Sequence, residues 1–118
     1  MPSKRDPTFE RELAAAATRK AGLAGVDESF FAAVQHRLAK GELEYNGTWA
    51  ERGLPTLIEE LIEEGADGGG WGTLAARLAQ LDPEVAEEAV LEEIMLAIAG
   101  AVQLWYHGHR ALELVRDP

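Results

Sequence analysis

Glu60, Glu63, Glu64 and Asp67 stand three, four and seven residues apart within the stretch from Leu57 to Asp67. On a helix that spacing gathers them on one face. A hard cation such as Mg²⁺ takes oxygen ligands, and often only a few carboxylates, leaving water and substrate phosphates to complete its shell. Glu60, Glu64 and Asp67 fit that set, with Glu63 as the alternative ligand. Like charges this close repel, so the grouping is unfavourable unless a cation or a basic neighbour offsets it. The same pattern is also that of a solvated helix face, because Glu is a good helix former. The residue types leave both readings open. Leu54, Leu57, Ile58, Leu61 and Ile62 fill the neighbouring arc.

A second acidic set follows at Glu84, Glu87, Glu88, Glu92 and Glu93. Glutamates in a first helical turn favour the helix dipole, which accounts for Glu84 and Glu87. Glu92 and Glu93 lie deeper, beside an apolar segment. If Glu92 or Glu93 faces the first set, the two helices form a carboxylate pocket. A hydrolytic site predicts Glu60, Glu64 and Asp67 facing Glu88 or Glu92 across a cleft. An interaction protein predicts them splayed into solvent, with an apolar patch outside. Arg37, Lys40 and Arg52 flank the turn before the acidic helix and are the candidates for holding phosphates. Trp49 and Trp71 can stack on a base or fill a core. No Glu-x-x-His pair exists for a di-iron site. His107-Gly108-His109-Arg110 reads as a helix end with favourable positive charge.

These groups need elements to position them. Asp6-Pro7 is an N-cap followed by proline at the first helical position. A helix follows to Lys20, anchored by Phe9 and Leu13 and ended by Gly22 and Gly25. Asp27 caps a second helix to about Lys40, with Gly41 as its stop. Residues 41–53 read as a loop, with a turn at Asn46-Gly47. The acidic helix begins near Leu54-Pro55 and runs at least to Asp67. Gly68-Gly69-Gly70 should break it, since each glycine costs about 1 kcal/mol against alanine; alternatively it lets a helix or ligand approach the backbone. Helical periodicity resumes from Trp71 to Leu81. Asp82-Pro83 repeats the cap-plus-proline signature, so the last helix is expected from there to Trp105 or as far as Val115. From Ile94 onward it is apolar on nearly all sides, the pattern of a central or shared helix. No strand pattern stands out. The expected fold is an all-α bundle of four to five helices, in a single domain over residues 1–118.

Composition narrows the function classes. The formal net charge of −10 works against direct nucleic-acid or membrane-surface binding and suits cation binding or a basic protein partner. There is no Cys, hence no disulfide framework and no thiolate metal site. Met1 to Glu12 carries no apolar signal segment. The apolar stretch from Ile94 to Tyr106 is shorter than the roughly 20 residues that span a bilayer. A cytoplasmic protein with no membrane association is expected.

Two carboxylate-bearing helices in a small α-bundle resemble the MazG-like all-α nucleoside triphosphate pyrophosphohydrolases. Glu60-Leu-Ile-Glu63 matches their E-x-x-E element. Leu91-Glu92-Glu93-Ile94-Met95-Leu96 is similar to their second acidic segment, with Leu96 where that segment ends in Asp. The other mapping takes Glu64-Gly-Ala-Asp67 as E-x-x-D on the same helix. Over about residues 36–80 the chain also resembles small phage and actinobacterial proteins of this type, in which a Tyr-Gly-x-Trp turn precedes the acidic helix. The resemblance implies Mg²⁺ on Glu60, Glu63, Glu64, Asp67 and Glu92, a nucleotide substrate above it, and a homodimer or other homo-oligomer. Glu60, Glu64 and Asp67 would be catalytic through the metal, and Arg37, Lys40 and Arg52 would bind the nucleotide, in a form that is either active or degenerate. The alternative is a non-enzymatic acidic helical interaction protein, a small phage or accessory factor that dimerises through the last helix.

Overall fold

The computed structural model describes residues 5–45 and 48–117, with the backbone alone over 42–45. It is all-α, with no strand among the described residues. The four α-helices are α1 (Pro7–Lys20), α2 (Asp27–Tyr45), α3 (Leu54–Leu81) and α4 (Glu87–Arg116). Two short 3-10 helices, Ala24–Val26 and Thr48–Arg52, complete it. The chain divides into two compact units, residues 1–52 and 53–118.

In the first unit, Asp6 caps α1 as its sequence suggests. Its Oδ1 accepts hydrogen bonds from the Thr8 and Phe9 amides at 3.1 and 3.2 Å. Gly22, at φ 75°, closes the helix with the Leu23 amide donating to Thr18 O at 2.8 Å. The anchors differ from expectation. Phe9 and Leu13 are 58% and 55% exposed, and the buried residues of α1 are Ala14 and Thr18. The Thr18 hydroxyl is satisfied by donating to the Ala14 and Ala15 carbonyls. Polar contacts tie α1 to α2. Arg5 grips Glu10 with two nitrogens at 3.0 and 2.8 Å, and Gln35 both donates to Glu10 and accepts from Arg5. Arg11 pairs with Glu28 at 2.8 Å and lies over the Phe31 ring at 4.3 Å.

The Arg5 and Gln35 hydrogen bonds hold the Glu10 carboxyl down at about 2, against a weaker opposing push from burial. Its folded value lies below the ordinary 4.5, so its contribution to stability is complete above that pH and drains away as pH falls toward 2. Glu10→Gln should therefore cost about 1–2 kcal/mol at neutral pH and flatten the acid limb of a thermal-unfolding series. An unchanged acid limb would mean that the network contributes nothing.

α2 does not stop at Gly41. It continues to Tyr45, since Gly41 keeps a negative φ and Glu42-Leu43-Glu44 favour helix over loop. The expected loop holds a 3-10 helix over Thr48–Arg52; the Asn46-Gly47 turn lies outside the described residues.

In the second unit, α3 and α4 form an antiparallel hairpin. α3 is one unbroken helix of 28 residues through Gly68-Gly69-Gly70, so the expected break does not occur. Asp82-Pro83 starts a turn rather than a helix. The Asp82 carboxylate accepts from the Glu84 amide at 2.9 Å, and Val85 N donates to Asp82 O. Asp followed by Pro suits the first two positions of a β-turn as well as it suits a helix start. The last helix begins only at Glu87.

Candidate functional site

The helix pair has a seam with a spacing of three and four. On α3 it runs through Ile58, Ile62, Gly65, Gly69, Gly72, Ala76 and Ala79, all buried or half-buried. On α4 the facing line is Leu91, Ile94, Ile98, Ala101, Trp105, Gly108 and Leu112. This is the stripe of an antiparallel coiled coil. Glycines fix its register by close approach. A Cβ at Gly65 would lie 2.7 Å from Trp105 N and 2.9 Å from Ala101 O. One at Gly72 would meet Ile98 Cγ1 at 2.5 Å, and one at Gly108 would meet Ile62 Cγ1 at 2.7 Å. Gly108 is thus mid-helix and buried under Ile62, not part of a helix end, and α4 continues to Arg116. The backbone contact along the seam offsets the helix cost of the glycines that make it.

That seam decides where every other residue of the hairpin points. Glu60, Glu63, Glu64 and Asp67 fall on the side of α3 away from α4, and all four are exposed. Glu92 is also exposed, and points outward from α4. From the pairing of Gly72 with Ile98, Glu92 stands level with residue 78, eleven residues from Asp67 and roughly 16 Å along the axis. The two-helix carboxylate pocket within this hairpin is therefore not formed, because the glycine-lined stripe and not the acidic one faces α4. Among the described residues no group of three His, Asp or Glu side chains is placed to hold a metal ion. Glu59, beside the acidic set, pairs with Arg116 at 2.6 Å. Arg37 and Lys40 are exposed on α2, and Arg52 is exposed in the second 3-10 helix, all in the first unit.

What sequence reasoning missed is the amount of apolar surface left outside the seam. No large side chain of the described residues is fully buried. One flank of the hairpin carries Leu54, Leu61, Gly68 and Ala75 from α3 beside Val90, Ala97, Leu104 and Ala111 from α4, an uncharged row next to the seam that Glu64 and Glu93 border on its outer side. Leu54 is 59% exposed and Leu61 49%. The opposite flank bears the Glu59–Arg116 pair and an open groove of about 240 Å³ lined by Gly65, Ala66, Gly69, Ala101, Val102 and Trp105. Trp71 is 74% exposed and not core, whereas Trp49 is half-buried. The signal for this was present: α3 carries apolar residues on more than one stripe.

α4 is also long and apolar enough, by length and composition, to cross a membrane. The stretch from Ile94 to Tyr106 was expected to be too short; the helix that contains it is 30 residues long. No protein-family model, curated protein or solved structure matches the chain.

Proposed function

We propose that the chain is a non-enzymatic helical interaction protein that assembles into a homo-oligomer through the uncharged flank of the α3–α4 hairpin. The observation that carries this reading is that flank itself. A chain of net charge −10 opposes its own association where carboxylates meet, and the row of this flank next to the seam carries none, with Glu64 and Glu93 only at its outer edge. Exposed contiguous apolar surface of this kind marks a protein–protein or membrane contact. Inserting the hairpin into a bilayer would carry Glu59, Glu60, Glu63, Glu64 and Asp67 along with α4, which is costly. A second hairpin seated on the flank gives a four-helix arrangement that leaves Glu59, Glu60, Glu63 and Asp67 in water and Glu64 at its rim.

Light scattering coupled to size exclusion, over a range of loading concentrations, tests the reading. A mass of two or more chains is expected, and a monomer at every concentration would remove it. A second reading, a Mg²⁺-dependent nucleoside triphosphate pyrophosphohydrolase, draws on Glu60, Glu64 and Asp67 sharing one exposed stripe. Calorimetric titration of Mg²⁺ separates the two. Saturable heat that Glu64→Gln/Asp67→Asn removes supports the hydrolase, and dilution heat alone withdraws it.

A further inference from the structure

The side of α3 opposite the seam carries a stripe of its own, again spaced by three and four: Glu60, Glu64, Asp67, Trp71, Leu74 and Leu78, ending at Leu81. Every one of these residues is exposed. Its first half is anionic and its second half apolar, with Trp71, Leu74, Leu78 and Leu81 between 59% and 74% exposed. At the change from one half to the other, along the edge of the stripe, lies an open recess of about 550 Å³ lined by Ala66, Asp67, Gly70, Trp71, Thr73 and Leu74.

We infer that this stripe docks an amphipathic helix of a partner protein, one with apolar residues along one half of its contact face and Lys or Arg along the other. The charge pattern selects that occupant. A second copy of α3 laid along the full stripe would set carboxylate against carboxylate if parallel, and carboxylate against leucine if antiparallel. A uniformly apolar helix would desolvate Glu64 and Asp67 without pairing them. A helix basic at one end and apolar at the other satisfies both halves, in the helix-in-groove manner of peptide recognition. The stripe faces away from α4, and its edge at Glu64 and Trp71 borders the assembly flank at Leu61 and Gly68.

The test uses the full chain and labelled helical peptides read by fluorescence anisotropy. One peptide has leucines along half of its contact face and lysines along the other half, made in both orders. A second has the same composition interleaved, and a third has Glu in place of Lys. One of the block Leu/Lys peptides should bind at least about ten-fold tighter than the interleaved and Glu peptides. Leu74→Asp and Glu64→Lys should each weaken it by about ten-fold or more. The Glu peptide should regain affinity for Glu64→Lys/Asp67→Lys, which a misfolded variant could not deliver. Leu104→Glu, on the α4 side of the assembly flank, should leave peptide binding intact even where it lowers the oligomeric mass, so this inference and the assembly fail separately. Equal affinity for block and interleaved peptides, or no binding of either block order, overturns the proposal. So does loss of self-association in Leu74→Asp without peptide binding, which would assign the stripe to a second copy.

Discussion

Gly65→Ala should open the α3–α4 hairpin, whereas Gly70→Ala, five residues away on the same helix, should tighten it. An alanine methyl at 65 would sit 2.7 Å from Trp105 N, 2.9 Å from Ala101 O and 3.0 Å from Trp105 Cα. All three are backbone atoms, so no side-chain rotation relieves the overlap and the helices must separate. Overpacking of that kind costs about 1–3 kcal/mol, which outweighs the gain of about 1 kcal/mol that alanine brings to a helix interior. At Gly70 a Cβ meets nothing within 4 Å. The propensity gain of about 1 kcal/mol then stands alone. Gly69 behaves like Gly70, because the seam widens there into the groove beside Val102 and Trp105. Urea unfolding followed by far-UV circular dichroism should therefore place Gly65→Ala below the parent and Gly69→Ala and Gly70→Ala above it. If all three shift in the same direction, the seam does not run through Gly65.

Leu61→Glu with Leu104→Glu should dissolve the assembly without unfolding the chain. Leu61 is 49% exposed and Leu104 37%, so both lie outside the seam and a carboxylate at either stays hydrated in the lone hairpin. In an oligomer joined by this flank, each would be buried twice over, once per copy in a two-fold contact. Losing the leucine burial and adding an unpaired charge should weaken association by about 3 kcal/mol or more, roughly a hundred-fold or greater in the dissociation constant. Sedimentation velocity checks it. A monomer with parental helicity is the expected result. Unchanged mass would place the contact elsewhere on the surface.

The parts of this fold that local chemistry dictates are legible in the sequence. Asp6 before Pro7 caps α1, Gly22 ends it with a positive φ, and α2 starts at Asp27, which is itself helical at φ −58° and ψ −43° rather than a cap. What was illegible depends on partners distant along the chain. Gly68-Gly69-Gly70 looks like a break because propensity counts only the local cost; α3 persists because its backbone approaches α4 closely at Gly65 and Gly72. Asp82-Pro83 is locally ambiguous, and the hairpin resolves it as a turn. The grouping of Glu60, Glu64 and Asp67 on one helical face was readable from spacing alone. Which way that face points was not, because α3 offers more than one stripe to a neighbour and only the pairing with Ala101 and Ile98 selects between them.

Every surface assigned on the hairpin, the outward carboxylates, the uncharged flank and the apolar end of α3 alike, follows from that register. The chain has no cysteine, so an engineered pair reports on it without interference. A Cβ at Gly68 lies 3.4 Å from Ala101 Cβ, close to the separation a disulfide spans, whereas one at Gly70 finds nothing within 4 Å. Under mild oxidation, Gly68→Cys/Ala101→Cys should close an intrachain disulfide, seen as a loss of two free thiols without a change in chain mass on a denaturing gel. Gly70→Cys/Ala101→Cys should remain reduced or link between chains. Failure of the first pair to close, or equal closure of both, would contradict the seam and with it the placement of the apolar flank.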